Sequence, residues 1–325
     1  MQKKKAMILG FMMAAALSPV MGVQAEDSSL SVVTTIFPEY DWMREIIGEN
    51  SEVELTMLLD KGTDLHNYQP SAEDMVKIVN ADLFIYVGGE SDKWVEDALK
   101  NAENPDMKVV NLMEVLGDTV KEEEVVEGME AEDEHEGEEY AHEEEGPEYD
   151  EHVWLSLRNA QTLCEMLGET MEELDLEHAQ DYQANTENYL SELKTLDEEY
   201  QAAVAEGNKD TLLFGDRFPF RYMTDDYGLN YYAAFVGCSA ETEASFETIA
   251  FLADKVKELG LDTILTIEGS DHKIAETISA TSGVEDIKIL SLDSMQSVTG
   301  KDAQDGADYV DIMKKNLEVL KEALQ

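Results

Sequence analysis

Short apolar runs and helix-like periodicities alternate along the first half of the chain. Residues 30–35 form a β-rich apolar run, and residues 40–47 follow with an amphipathic helical pattern that stops at Gly48. The same alternation continues through residues 53–58, 72–79, 83–87, 92–99 and 109–112. Strands that alternate with helices predict a mostly parallel sheet with helices on its faces.

The second half of the chain repeats this pattern after two long helical stretches. Residues 159–173 and 177–205 have helical periodicity, and the second stretch is long enough to serve as a rigid connector. Alternating runs then resume at residues 211–214, 230–235, 245–259, 263–267, 273–280, 288–292 and 307–324. We therefore predict an α/β protein with an N-terminal lobe (26–158), connecting helices (159–206) and a C-terminal lobe (207–325). Each lobe is expected to hold a mostly parallel sheet flanked by helices, with a cleft between the lobes.

One segment departs from this pattern. More than half of residues 121–151 are acidic, two histidines (His135 and His142) lie among them, and apolar periodicity is almost absent. Such a segment buries too little surface to offset the entropy of ordering it, so the composition predicts a flexible acidic loop.

The N-terminus resembles a secretory signal peptide. Three lysines precede an apolar run at residues 6–17, and the small-residue segment Val23-Gln24-Ala25 precedes Glu26. The apolar run is shorter than the roughly 20 residues that span a bilayer. We therefore expect residues 1–25 to be cleaved and the protein to be exported to the periplasm or the cell surface. No cysteine lies next to the end of the apolar run, so we expect no lipid attachment there.

The charge of the chain restricts its partners. Its formal net charge is −50, which repels nucleic acid and anionic lipid and attracts cations. The two cysteines, Cys164 and Cys238, are far apart in sequence and form no framework pattern, so partly buried thiols are expected rather than a disulfide.

Two of the six histidines lie where an α/β protein places ligands. His66 lies between a predicted strand and the helix that opens at Ser71, and loops at the carboxyl ends of strands bind ligands in open α/β sheets. His152 precedes another predicted helix, directly after the acidic segment. Taken alone, each is also compatible with an ordinary surface or packed histidine.

These segments resemble the zinc and manganese solute-binding proteins of ABC importers, also called cluster A-I receptors. The family segment Gly-x-Asp-Pro-His-x-Tyr-x-Pro is matched by Gly62, Asp64, His66, Tyr68 and Pro70, with Leu65 in place of the first proline. The family segment Asp-Pro-His-x-Trp-Leu is matched at residues 150–155, with Glu151 in place of the proline. The resemblance covers essentially the whole mature chain and implies that His66 and His152 are metal ligands.

The resemblance leaves the second lobe's ligands open. An ungapped match places Arg217 at the third ligand position, and a guanidinium cannot coordinate a cation, so Asp216 is the nearest oxygen donor. An alternative is that Asp216 and Arg217 form a local ion pair. Glu268 follows an apolar strand at the place of the fourth ligand, with Asp271 and His272 as alternates; Asp271 also suits the cap of the helix that begins near Lys273.

The function that the resemblance implies is that of a receptor without catalytic activity. It would capture Zn²⁺, or Mn²⁺, between its lobes as a monomer and deliver the ion to a membrane permease. Two alternatives stay open: an exported metal-dependent hydrolase, and a surface adhesin or cation-buffering protein that works through the acidic segment. A zinc-protease motif fails, because Glu139 stands where the second histidine of a motif beginning at His135 would be required.

Overall fold

The fold is described from a computed structural model. The structure describes residues 29–102, 104–130, 148–239 and 243–325, and every structural statement below concerns these residues. The predicted signal peptide lies outside the described residues, as do His135 and His142 of the acidic segment.

The first lobe is built on a four-stranded parallel sheet with strand order β2-β1-β3-β4. Its buried strand residues are mainly Val, Leu, Ile and Phe, as expected for a sheet covered on both faces. The elements in chain order are β1 (Leu30–Thr34), α1 (Phe37–Ile47), β2 (Val53–Met57), α2 (Ala72–Val79), β3 (Leu83–Tyr86), α3 (Trp94–Leu99), β4 (Lys108–Asn111) and α4 (Leu112–Leu116).

The second lobe repeats this topology. Its sheet is also parallel and has the order β6-β5-β7-β8. Its elements are β5 (Thr211–Phe218), α7 (Arg221–Tyr227), β6 (Asn230–Val236), α8 (Phe246–Leu259), β7 (Thr263–Ile267), α9 (Lys273–Ser282), β8 (Lys288–Leu292), α10 (Gly300–Gln304) and α11 (Tyr309–Ala323). The prediction of two parallel-sheet lobes flanked by helices is confirmed.

Two helices, α5 (Leu157–Leu174) and α6 (Ala179–Glu206), lie between the lobes in sequence. The 28 residues of α6 give it a length of about 42 Å. It packs against α1 of the first lobe and α11 of the second. Buried contacts also join the lobes: the Tyr309 hydroxyl donates to the Trp154 carbonyl (2.7 Å), and the Trp154 indole donates to the Ser294 carbonyl (2.9 Å). An apolar core extends through both lobes, and a second apolar cluster lies within the second lobe.

The expectation of a flexible loop over the whole of 121–151 is too broad at its ends. The backbone of Glu123 donates to Glu148 (2.9 Å), and that of Asp150 donates to Lys121 (2.9 Å), so the two ends of the segment pair with each other. Met129 is buried, and Glu130 forms a bridge with Phe235 of β6. The physical reason is that these flanks contain apolar and hydrogen-bonding residues that the acidic composition masks, while residues 131–147 lie outside the described residues.

None of the helices in the described ranges is long and apolar enough to cross a membrane. Cys164 is buried in the core, Cys238 is partly exposed, and the two do not form a disulfide.

Candidate metal site

Three side chains that can bind a metal ion lie close together where the two lobes face each other. The ligand atoms of His66, His152 and Cys238 all lie within 4.8 Å of one another, and the described parts of the chain contain no other such group of three. The first lobe supplies the two imidazoles, and the loop after β6 of the second lobe supplies the thiol.

The loop after β2 fixes the position of His66. Asp64 accepts a hydrogen bond from the backbone N–H of His66 (3.1 Å) and so caps a short 3-10 turn, Leu65–Asn67. Gly62 has a positive φ of 69°, and a Cβ there would lie 2.9 Å from the carbonyl oxygen of Ser297. The glycine of the family motif therefore lets this loop pass close to the second lobe, in a conformation that other residues rarely adopt.

The ring of His66 is oriented through Nδ1. This nitrogen lies 2.9 Å from the Ser91 hydroxyl and 3.3 Å from Oε2 of Glu151. The other oxygen of Glu151 accepts a hydrogen bond from the backbone N–H of Ser91 (2.8 Å), which holds the carboxylate in place. Glu151 stands where the family motif has proline, and its Oε2 atom is buried beside His66 without a hydrogen-bond partner. A carboxylate can only accept, so a proton on Nδ1 of His66 would give this buried oxygen the donor that it lacks.

His152 is oriented in the same way by Asp150. Oδ1 of Asp150 lies 2.9 Å from Nδ1 of His152 and also accepts from its backbone N–H (2.8 Å). The side chain of His152 is fully buried, and Asp150 is nearly so. Carboxylate-to-imidazole contacts of this kind are typical of histidines that bind a metal through the opposite ring nitrogen.

The opposite nitrogens face each other. Nε2 of His66 lies 3.1 Å from Nε2 of His152. When each Nδ1 carries a proton and both rings are neutral, the two Nε2 atoms present lone pairs to each other, and a cation between them would stabilise this arrangement. Two nitrogens bound to one tetrahedral zinc ion, each at about 2.05 Å, lie about 3.3 Å apart. The pair therefore has the spacing of two ligands to one small cation.

The electrostatics of the pair favour a cation. Burial lowers the pKa of His66, but the neighbouring Glu151 and Asp64 carboxylates raise it more, so that this pKa lies above the ordinary value. Burial raises the pKa of Glu151, and the interactions of the carboxylate with His66 and Ser91 more than offset this, so that this pKa lies below the ordinary value. Positive charge on the imidazole pair is thus stabilised by buried negative charge.

The structure does not bring Asp216 and Glu268 into this donor group. Both line an adjacent cavity of about 470 Å³, which also contains Asp64 and Arg217. Arg217 forms an ion pair across the cleft with Asp64, whereas Asp216 accepts from the backbone N–H of Arg217 (2.9 Å). Arg217 therefore pairs with Asp64 of the first lobe, and not with its neighbour Asp216.

Glu268 is engaged with its own lobe. Its carboxylate accepts from the backbone N–H of Ser294 (2.7 Å), from the Ser294 hydroxyl (2.7 Å) and from the backbone N–H of Gln296 (3.2 Å). Of the alternates, Asp271 accepts from the backbone N–H of Lys273 (3.1 Å), the first residue of α9, and His272 contacts the Thr266 hydroxyl (3.1 Å). Each of these side chains has a hydrogen-bonding role within the second lobe.

Cys238 is the member of the group that sequence reasoning misses. The sequence pattern predicts an ordinary thiol for it, as for Cys164. The signal that could have found it is its position two residues after β6, at the carboxyl end of a parallel strand, which is the edge where such sheets place ligands.

Fold and site together define a two-lobed α/β protein with a candidate metal-ion site between its lobes. The family model described as zinc-uptake complex component A, periplasmic, matches residues 32–323. The chain belongs to this family. The resemblance seen in the sequence is confirmed.

Individual relatives agree with this assignment. The chain is 31% identical over 299 residues to the zinc-binding protein AdcA of Streptococcus pyogenes, covering 91% of this chain and 56% of that protein. It is 30% identical over 300 residues to the high-affinity zinc uptake system protein ZnuA of Bacillus subtilis, covering 92% and 89%. The chain thus spans little more than half the length of the streptococcal relatives but nearly all of the Bacillus protein.

Solved structures show the same fold. The Zn(II)-bound ZnuA-like domain of Streptococcus pneumoniae AdcA superposes with a TM-score of 0.70 at 27% identity, covering 91% of this chain and 99% of that one. The laminin-binding adhesin Lmb of Streptococcus agalactiae superposes with a TM-score of 0.73 at 23% identity, covering 91% and 100%. At that lower identity the similarity concerns the fold alone.

Proposed function

We propose that this protein captures Zn²⁺ outside the cytoplasmic membrane and delivers it to the permease of an ABC importer. The observation that carries the proposal is the pair of Nε2 atoms 3.1 Å apart, each on a ring whose other nitrogen faces a buried carboxylate. The zinc-related names of the relatives support zinc as the ion. Imidazole nitrogens suit zinc better than manganese, and zinc generally binds such donors more tightly.

The export signal, the oligomeric state and the division into lobes are also part of this proposal. We infer that a signal peptide ending near Ala25 directs export and that the receptor works as a monomer. We also propose that the lobes at 26–158 and 207–325 enclose the ion on either side of the connecting helices at 159–206. The packing of α6 against both lobes supports a rigid connection with small relative movements.

The ligand set in the second lobe stays a prediction for Asp216 and Glu268. To reach an ion, each carboxylate would have to exchange hydrogen bonds within its own lobe for coordination. The three donors around Glu268 favour a structural role for this side chain.

Calorimetric titration of the apoprotein with Zn²⁺ tests the proposal. We expect one tight site in the wild type, and loss of tight binding in His66→Ala and in His152→Ala. His178→Ala is the matched control, because His178 also pairs with a carboxylate (Asp175, 2.8 Å) but lies at the start of α6, outside the donor group. Wild-type stoichiometry and affinity in both cleft variants would remove the assignment.

A second variant separates the receptor from a cation buffer. Residues 131–147 contain nine of the acidic residues together with His135 and His142. Replacing them with a Gly/Ser sequence of equal length leaves the paired flanks at 121–130 and 148–151 in place. A receptor keeps its tight site after this change, whereas a buffer that works through the acidic segment loses most of its bound zinc.

A further inference from the structure

We propose that Cys238 supplies a thiolate as the third ligand of the cleft metal, so that the second lobe contributes sulfur and the site prefers Zn²⁺ to Mn²⁺. This inference rests on the proposed function, which needs the two histidines and leaves Asp216 and Glu268 as predicted ligands from the second lobe. It gives the site two imidazole nitrogens and one sulfur, with a fourth position left for water or another oxygen donor.

The geometry suits such a site. The sulfur of Cys238 and the ring nitrogens of His66 and His152 lie within 4.8 Å of one another. In a tetrahedral zinc site, with a zinc–sulfur distance of about 2.3 Å, the sulfur lies about 3.6 Å from each nitrogen. A small side-chain adjustment therefore closes the triad around an ion. Cys238 and His66 also line a common cavity of about 270 Å³ that opens to solvent, which gives the ion a path of entry.

The residue before the cysteine fixes this approach. A Cβ on Gly237 would lie 3.0 Å from Cε1 of His152 and 2.9 Å from the carbonyl oxygen of Phe218. The backbone after β6 therefore packs directly against the imidazole, where only glycine fits without displacing a neighbour. This contact joins the two lobes and sets the following residue, Cys238, beside the nitrogen pair.

Other candidate donors of the second lobe are engaged elsewhere. Arg217 stands at the position that matches the family's third ligand, and its guanidinium is paired with Asp64. The carboxylates of Asp216 and Glu268 accept hydrogen bonds from their own lobe. Within the described residues, Cys238 is the second-lobe donor that shares the group with both histidines.

The chemistry follows from the thiol. Binding of M²⁺ breaks the S–H bond, forms the metal–sulfur bond and releases the proton to solvent, with no change of oxidation state. Thiolate is a soft donor that suits Zn²⁺, whereas Mn²⁺ prefers oxygen ligands. The cysteine therefore raises zinc affinity far more than manganese affinity, and discrimination between the two ions depends on it.

Cobalt substitution tests the inference. Co²⁺ replaces Zn²⁺ in such sites, and a sulfur ligand gives an intense sulfur-to-cobalt charge-transfer band in the near ultraviolet. We expect this band in the wild type and in Cys164→Ala, the control for the buried thiol, and we expect it to be absent from Cys238→Ser. Removal of an outer-shell partner typically lowers metal affinity 10- to 100-fold, so loss of a direct ligand should lower Zn²⁺ affinity on the order of a hundredfold. Mn²⁺ affinity should change much less.

A second measurement uses the wild-type protein, so its result does not depend on whether the variant folds. Zn²⁺ should protect Cys238 from alkylation by iodoacetamide, as read by mass spectrometry, whereas Mn²⁺ at the same concentration should protect it poorly. Wild-type cobalt spectra and zinc affinity in Cys238→Ser, or alkylation at an equal rate with and without saturating zinc, would overturn the inference. If His66→Ala still abolishes zinc binding in that case, the proposed function stands and only the thiolate is wrong. If His66→Ala also binds like the wild type, the proposed function fails as well.

Discussion

Removing the charge of Asp150 tests the claim that the histidines are oriented for metal binding through Nε2. Asp150→Asn keeps an oxygen that can accept from both Nδ1 and the backbone N–H of His152, but it loses the charge. Asp150→Ala loses the acceptor as well. Because the pair is buried, its interaction is only weakly screened by salt.

The magnitude follows from the role of such partners. Outer-shell carboxylates typically contribute 10- to 100-fold to metal affinity, which corresponds to about 1.4–2.7 kcal/mol. We expect Asp150→Asn near the lower end and Asp150→Ala near the upper end. Asp150→Ala also leaves the buried N–H groups of His152 unsatisfied, which should destabilise the apoprotein by about 1–3 kcal/mol.

Competition against a chromophoric zinc chelator near neutral pH measures the affinities, and thermal unfolding of the apoproteins measures stability. Asp175→Asn is the matched control, since it changes a carboxylate–histidine pair away from the cleft. Wild-type zinc affinity in Asp150→Ala, with the fold intact, would refute the proposed orientation of His152.

Three further predictions concern pH, backbone packing and Glu268. The pKa of His66 is raised above its ordinary value of 6.5, so below that pKa a proton competes with zinc for the imidazole. Calorimetry at a series of pH values should show zinc affinity falling about tenfold per pH unit in this range. A zinc affinity that stays constant from about pH 8 to about pH 5 would contradict this prediction. Gly237→Ala should weaken zinc binding while the apoprotein stays folded by circular dichroism, because the added Cβ displaces the His152 ring; unchanged affinity would show that the contact is unimportant. Glu268→Gln places an amide where three hydrogen-bond donors meet a carboxylate, so the unfolding free energy should fall by about 1–3 kcal/mol; unchanged stability would contradict this, and an accompanying loss of zinc affinity would support Glu268 as a ligand.

Much of the fold could be predicted from local pattern. The alternation of apolar runs and helical periodicities locates the strands and the main helices, because a sheet covered on both faces needs apolar strands and its helices need one apolar face. The ends of helices and strands depend more on contacts with residues that are distant in sequence. Strand β5 continues to Phe218, beyond the apolar run that ends at Phe214, because its pairing with β6 resumes after an irregularity between Phe214 and Arg217.

The residues of the candidate site likewise differ in how far the sequence alone could predict them. His66 and His152 could be found because each lies in a recognisable local segment. The position of Cys238 after a strand is visible in the sequence, but its approach to the histidines is not, since its distance from His152 depends on how the two lobes pack through Gly237. The role of Glu268 likewise depends on Ser294 and Gln296, which are distant in sequence and meet it only in the folded lobe.

Anomalous diffraction at the zinc absorption edge, from crystals of the zinc-loaded protein, tests most directly whether the ion binds between the two histidines. We expect one strong peak in the cleft, about 2.0–2.1 Å from Nε2 of both His66 and His152. A peak bound through Nδ1 of either ring, or zinc located only among the acidic residues outside the cleft, would contradict this assignment.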